Sequence, residues 1–284
     1  MQIGIIGAGR VGTSVGKYFA QSGKTVVGFY DNEQMAAKEA AEFAQTDCFL
    51  RLEELVRRSD TLFITSPDGI IREVWDCIRE MSIESKIICH CSGSLSSDVF
   101  SGIEDKHAYA CSIHPMLAFS DKFSSYKQLN QAFFTIEGDK YAVQEMKAFM
   151  ESLGNQVCEI AKEQKGLYHA AASVLSNHVV AVLAAGYELL VESGFSEQFA
   201  RLASANLVLG NVQSVVEKGP VKALTGPIER GDALTVQKHL ACIPDEMREM
   251  YCVLGNRIVQ LAEEKNPTKE YKEMKKVLLS KGEQ

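Results

Sequence analysis

Residues 1–12 read MQIGIIGAGRVG, and the interpretation of this stretch decides the fold. Ile3, Ile5 and Ile6 form a short apolar run, and Gly7-Ala8-Gly9-Arg10-Val11-Gly12 follows without a spacer. A buried strand that breaks into G-x-G-x-x-G and continues as a helix is the pattern of a dinucleotide-binding turn. Each glycine has a physical task there. Gly7 permits the tight reversal, Gly9 lets backbone approach a pyrophosphate, and Gly12 lets the helix pack close to the strand. Arg10 and Val11 open that helix, whose unpaired N–H groups and partial positive charge face the phosphates. Glycine-rich turns are common, so the reading depends on its surroundings.

Working outward, β-rich runs alternate with helical ones. Thr25–Tyr30, Cys48–Leu50, Thr61–Thr65, Lys86–Cys91 and Ala108–Ile113 read as strands after the first. Thr13–Gln21, Glu33–Ala44, Leu52–Arg58 and Ile70–Met81 read as the intervening helices. Phe133–Glu137 and Gln156–Ile160 bracket a further helix, Lys140–Leu153, and complete the sheet. Such alternation implies βαβ units and a mostly parallel, doubly wound sheet covered on both faces. Beyond Lys162 only helical periodicity remains, in Leu167–Val191, Ser196–Val216, Ala233–Ile243 and Pro244–Glu264. The expected organisation is α/β: a Rossmann domain over 1–161 and an all-α domain over 162–284. The lysine-rich tail after Asn266 reads as a solvated helix or frayed end.

The bulk properties exclude several classes. A formal net charge of −7 over 284 residues argues against nucleic acid or an anionic membrane as partner. Met1 runs straight into a core strand, so no signal peptide is expected. The longest apolar run, Val179–Gly186, is far short of the roughly 20 residues of a membrane span. Eight cysteines lie mostly in apolar stretches, the pattern of reduced thiols in a cytoplasmic protein. Cys89-His90-Cys91 invites a zinc reading, but alternation along a strand turns His90 away from both thiols, so no metal is expected.

Asp31 ends the second strand nineteen residues past Gly12, near the spacing of the acid that bonds an adenosine ribose. A carboxylate there accepts from the 2′-OH and repels a 2′-phosphate, favouring NAD over NADP; a plain turn aspartate is the other reading. Ser66-Pro67-Asp68 and Ser92-Gly93 each close a strand where open sheets bind ligands, with Asp68 and Ser94 as candidate helix caps. His114 closes the sixth strand ahead of Pro115. Histidine titrates near neutrality and can exchange the proton that accompanies hydride transfer. In the helical half, His169, Ser173 and Asn177 fall four apart and share a helix face. Their surroundings are apolar nearly all round, which reads as a buried helix, within the domain or at a dimer interface. Leu224–Asp232 reads as an irregular loop in which Arg230 could clamp a carboxylate and Asp232 caps the next helix.

GAGRVG, ITSPD, HCSGSLSSDVF, SIHPMLAFSD, HAAASVLSNHVVAVLAAG and ALTGPIERGDALTVQKHL together resemble the bacterial Rossmann-like oxidoreductases whose C-terminal half is a domain of unknown function. The resemblance runs from Ile3 to about Leu261. The broader relatives are 6-phosphogluconate dehydrogenase-like enzymes, including pyrroline-5-carboxylate reductase, ketopantoate reductase, 3-hydroxyisobutyrate dehydrogenase and prephenate dehydrogenase. It implies a nucleotide domain followed by a helical domain that dimerises and closes the site. It implies pyrophosphate at Gly7, Gly9 and Gly12, the nicotinamide ribose beside Ser66 and Pro67, and active-site roles for Ser92 and His114-Pro115. Asn177 would be the asparagine of a K-x-x-x-N pair, and Thr225, Gly226 and Pro227 resemble a T-S-P substrate loop. The lysine of that pair falls at Ser173, which cannot donate a proton at neutral pH; Lys162 and Lys165 lie one to two turns too early. Proton transfer then falls to His114 or His169.

The function expected is an NAD(P)-dependent oxidoreductase passing hydride between nicotinamide and a small carboxylated metabolite held between the domains. His114 is the acid/base, Ser92, Asn177 and Thr225 orient, and Arg230 grips a carboxylate. A homodimer through the helical domain is expected. The alternative is a nucleotide-binding sensor without catalysis. An S-adenosylmethionine methyltransferase shares only the first turn.

Overall fold

The computed structural model describes residues 1–279. Eight strands, β1 (Ile3–Ile6), β2 (Val26–Tyr30), β3 (Asp47–Cys48), β4 (Thr61–Ile64), β5 (Ile87–His90), β6 (Tyr109–Pro115), β7 (Phe133–Gly138) and β8 (Gln156–Glu159), form one sheet. Their order is β3-β2-β1-β4-β5-β6-β7-β8. Every neighbouring pair is parallel except β6 and β7, which pair antiparallel with His114 opposite Thr135. Helices α1 (Arg10–Gln21), α2 (Gln34–Ala44), α3 (Leu52–Arg58), α4 (Asp68–Ile78) and α5 (Lys140–Glu151) lie between the strands in sequence.

The central strands are apolar on both sides because both faces of the sheet are covered. In β1, Ile3 and Ile5 enter one core cluster and Ile6 the other; in β4, Phe63 enters the first and Leu62 and Ile64 the second. That two-residue alternation fixes which side each polar residue faces at the strand ends. The strand order reverses between β1 and β4, which places a crevice at their carboxyl ends. The residues that follow β1, β4 and β5, and the end of β6, are Gly7, Thr65-Ser66, Cys91-Ser92 and His114-Pro115.

Among the described residues no strand follows β8. The rest is helical: α6 (Lys165–Ser173), a π turn (Val174–His178), α7 (Val179–Glu192), α8 (Glu197–Lys218), α9 (Pro220–Ala223), α10 (Pro227–Arg230), α11 (Ala233–Cys242), α12 (Asp245–Lys265) and α13 (Lys272–Leu279). Contacts divide the chain into two compact units, Met1–Asn177 and the part from His178 onward. The expected boundary at residue 161 therefore moves: α6 belongs to the first unit, bonded to the sheet by the side chains described below.

Three expectations for the helical half change. From Leu167 through α7 much of the apolar surface is exposed, with Leu175 at 74% and Val180 at 67%, so burial within the domain is not what this chain supplies; apolarity all round a helix states a need for cover without naming the molecule that meets it. One helix, Lys162–Glu192, is long and apolar enough to cross a membrane by length and composition, which a count of unbroken apolar residues misses. The tail packs instead of fraying: Met274, Val277 and Leu278 of α13 join Val236, Leu240 and Val259 in the core of the second unit.

Candidate functional site

The glycine turn has the geometry its sequence demands. Gly7 holds φ +102°, a region that only glycine enters without strain. A Cβ on Gly12 would stand 2.0 Å from Gly7 O and 2.3 Å from Thr65 Oγ1, so α1 packs against the turn only because that atom is missing. Gly9 differs: a Cβ there would meet nothing within 4 Å. Its small size serves no internal contact and leaves the backbone open to a ligand. No side chain caps α1 and no acid lies in its first turn, so its amino end keeps its positive character. Arg10 is exposed and Val11 half-buried at that end.

Asp31 ties the turn to the end of β2. Its Oδ2 accepts from Ala8 N at 2.7 Å and its Oδ1 from Glu33 N at 2.9 Å. Each oxygen retains a lone pair for a further donor. A cavity of about 360 Å³ opens beside it, lined among others by Gly9, Asp31, Asn32, Ser66, Pro67 and Val74. Ser66 Oγ is buried there without a hydrogen-bond partner, and a buried hydroxyl in that state calls for one. An open glycine, an uncapped helix end, a carboxylate with spare lone pairs and an orphaned hydroxyl fit a nicotinamide dinucleotide.

The second half of the site lies at the ends of β5 and β6. Lys165, on the first turn of α6, is only 2% exposed. Its Nζ donates to Ser92 O at 2.9 Å and to Ser112 Oγ at 2.7 Å. Burial lowers its pKa, partly offset by the carboxylate of Glu137. Glu137 is itself buried and accepts from Ser97 N and Oγ at 2.7 and 2.8 Å. One turn along α6, Tyr168 OH lies 2.7 Å from His114 Nδ1, and the His169 ring centroid lies 6.4 Å from that of His114. Gly93 makes room for both histidines, since a Cβ there would stand 2.9 Å from His114 Nε2 and 2.7 Å from His169 Cδ2.

These contacts revise several sequence expectations. Burial, then the charge of Lys165, pushes His114 down to about 4, so the imidazole is neutral at pH 7 and does not titrate there as expected. Ser92 uses its hydroxyl within its own turn, accepting from Ser94 N and Leu95 N at 3.1 and 3.0 Å; its carbonyl, not its side chain, meets Lys165. Asp68 is the first residue of α4 rather than its cap and accepts from Ser94 Oγ at 2.6 Å. His90 does turn away from Cys89: it stacks edgewise on Phe100, takes Ser92 N on Nδ1 and pairs through Nε2 with Ser96 O. That is a neutral Nε2–H tautomer, also held down to about 4 by burial and Lys165. Among the described residues no cluster could hold a metal ion.

The π turn interrupts the four-residue spacing that would align Asn177 with His169 and Ser173, and Asn177 is exposed with its Oδ1 on Ser176 Oγ. Ser173 is half-buried. Thr225, Gly226, Pro227 and Arg230 belong to the second unit. There Pro227–Arg230 is a helical turn rather than loop, entered through Gly226 at φ +108°. Thr225 and Arg230 are exposed, and the Arg230 carbonyl accepts from Lys269. Asp232 caps α11 as expected, accepting from Thr235 N at 3.1 Å. Sequence reasoning set Lys165 aside as one to two turns too early and missed Tyr168. The available signal was their own spacing, since Lys165, Tyr168 and His169 fall at i, i+3 and i+4 and so share a helix face.

Residues 1–115 match the family model of a Rossmann-like domain and residues 132–258 that of a domain of unknown function, DUF2520. The chain is thus a Rossmann-like domain followed by a DUF2520 domain. Among solved structures it is similar to protein BF3122 of Bacteroides fragilis, provisionally named an NADP oxidoreductase: 25% identity, 91% of this chain and 98% of that one, TM-score 0.75. Protein TM1727 of Thermotoga maritima is 25% identical over 94% and 98% of the two chains, with TM-score 0.70. The pyrroline carboxylate reductase of Plasmodium falciparum, solved with NADP, shares the fold at 14% identity, 93% and 96% coverage and TM-score 0.59. No curated protein matches the chain.

Proposed function

We propose that this Rossmann-like and DUF2520 chain is an NAD(P)-dependent oxidoreductase acting on a small carboxylated metabolite. The observation that carries the reading is the open Gly9 beside the uncapped α1, with the orphaned Ser66 hydroxyl in the same crevice. Gly7, Gly9, Arg10, Val11 and Gly12 hold the pyrophosphate, and Ser66 and Pro67 border the nicotinamide ribose. Asp31 takes a ribose hydroxyl on its spare lone pairs and repels a 2′-phosphate, which favours NAD. Naming of the Bacteroides fragilis neighbour as an NADP oxidoreductase supports the nicotinamide class.

When bound, the nicotinamide supplies or accepts hydride. The chain's own residues orient the substrate and manage charge. Neutral His114 offers Nε2 beside Gly93, with its ring held by Tyr168; His169 borders the same space. Lys165 brings a buried positive charge to the ends of β5 and β6. Thr225, Gly226, Pro227 and Arg230, and separately Ser173 and Asn177, are the further residues this reading assigns to substrate binding. Preorganised groups of this kind supply most of a rate enhancement.

A second copy of the chain is the partner we infer for the exposed apolar residues of α7 and α8, among them Val180, Leu202, Leu209 and Val216. Exposed apolar side chains gathered on neighbouring helices mark an interaction surface.

The test is a turnover screen of hydroxy, oxo and imino acids with both cofactors, followed by nicotinamide absorbance. Turnover of at least one acid, lost in His114→Asn, is expected. Cofactor binding without turnover of any of them would favour a sensor instead.

A further inference from the structure

His114, Thr135 and Cys158 stand opposite one another in register across β6, β7 and β8, and residues in such a row project from the same side of a sheet. Tyr168 of α6 reaches this row. Its hydroxyl lies 2.7 Å from His114 Nδ1, with the two rings 81° apart. Thr135 is only 6% exposed, and its Oγ1 completes no hydrogen bond among the described residues. It nevertheless acts on the same phenol: burial raises the Tyr168 pKa, the Thr135 hydroxyl pulls it back, and Cys158 raises it again. A buried hydroxyl in that state calls for a partner, and the Tyr168 oxygen is the acceptor beside it.

The His114 ring is neutral at pH 7, so one ring nitrogen carries a proton and the other is bare, and the bond made by one fixes the state of the other. A separation of 2.7 Å is ordinary for a hydroxyl donor and short for an N–H donor. A phenol is also the stronger donor of the two, and a bare imidazole nitrogen the stronger acceptor. Tyr168 therefore donates to Nδ1, and the hydrogen stays on Nε2, the nitrogen that faces Gly93. We propose that Thr135 and Tyr168 are positioning residues that fix His114 as an Nε2–H donor, so that the space beside Gly93 receives an acceptor oxygen of the ligand, such as a carbonyl. This rests on the oxidoreductase reading above. The chain runs from the Thr135 hydroxyl to the Tyr168 oxygen and from the Tyr168 hydroxyl to His114 Nδ1, each bond polarising the next. A neutral donor held in place this way needs no reorganisation as charge develops on the oxygen it meets. The opposite polarity, with Nδ1–H donating to Tyr168, leaves Nε2 bare and suits a ligand that donates instead.

Nitrogen NMR of the ligand-free protein, labelled at histidine, reads the tautomer directly at pH 7. His114 should show a proton-bearing Nε2 and a bare Nδ1. Tyr168→Phe should move the Nδ1 signal toward that of an unbonded ring nitrogen. Thr135→Val should leave the tautomer in place and raise the Tyr168 titration, and Thr135→Ser should restore it. In the NADH-loaded protein, nicotinamide fluorescence reads the binding of oxalate, whose oxygens only accept hydrogen bonds; Tyr168→Phe should weaken it about threefold or more. A bare Nε2 in the unaltered chain, or an Nδ1 signal unmoved in Tyr168→Phe, overturns the proposal. So does a Tyr168 titration unmoved in Thr135→Val, an oxalate affinity unchanged in Tyr168→Phe, or a loaded protein that does not bind oxalate. If NADH itself fails to bind, the oxidoreductase reading falls, while the histidine spectrum still decides whether Thr135 and Tyr168 set the tautomer.

Discussion

Replacing Gly9 by alanine adds a methyl group where an ideal Cβ meets nothing within 4 Å. Gly9 also holds φ −75°, a value any residue adopts. The free protein should accept the change, with unfolding free energy within about 0.5 kcal/mol of wild type. The methyl projects into the space assigned to the pyrophosphate, so NADH affinity should fall at least tenfold, or about 1.4 kcal/mol. Gly12→Ala separates packing from binding. Its Cβ would lie 2.0 Å from Gly7 O and 2.3 Å from Thr65 Oγ1, and backbone cannot give way as a flexible side chain does. Overpacking of this kind costs about 1–3 kcal/mol of stability. Urea unfolding and nicotinamide fluorescence, measured on both variants, give the two readouts. A Gly9→Ala protein that unfolds like wild type and binds NADH like wild type would refute the assignment of the open glycine to phosphate.

Three further outcomes follow from the same contacts. His90 and His114 bind protons near 6.5 when unfolded and near 4 when folded, so the unfolded state holds more protons between those values and stability is lost as the pH is lowered through that range. Each should withdraw about 2 kcal/mol between pH 7 and pH 5; urea midpoints at the two pH values check this, and His114→Asn should recover roughly half the difference. Ser66→Ala removes a buried hydroxyl that has no partner, so the melting temperature should hold or rise slightly while NADH binding weakens by about 0.5–1.5 kcal/mol. Light scattering without detergent should give twice the 31.3 kDa chain mass, and Leu209→Lys, at a position 67% exposed, should shift the population toward the single chain.

The sheet was legible because its strands are buried on both faces, so Ile3–Ile6, Thr61–Ile64 and Ile87–His90 stand out as short apolar runs ended by turn residues. The glycine turn was legible because Gly7, by its φ of +102°, and Gly12, by its approach to Gly7 O, answer demands set within a dozen residues. The His114 cluster was only half legible. Its strand-end position could be read, but its protonation depends on burial and on Lys165, whose partners Ser92 and Ser112 lie 73 and 53 residues away. A search for lysine four residues before Asn177 led to Ser173 and past the lysine that folds onto the sheet. The all-apolar helix misled for another reason. Sequence reports that Val180 and Leu175 need cover, and cannot report which molecule provides it.

The central claim is that the crevice at Gly9, Asp31 and Ser66 holds a nicotinamide dinucleotide. Calorimetric titration of the unaltered chain with NADH and NADPH in parallel tests it most directly. One NADH per chain, bound at least tenfold more tightly than NADPH, is the predicted result. Absence of heat from either nucleotide up to millimolar concentration would contradict the claim.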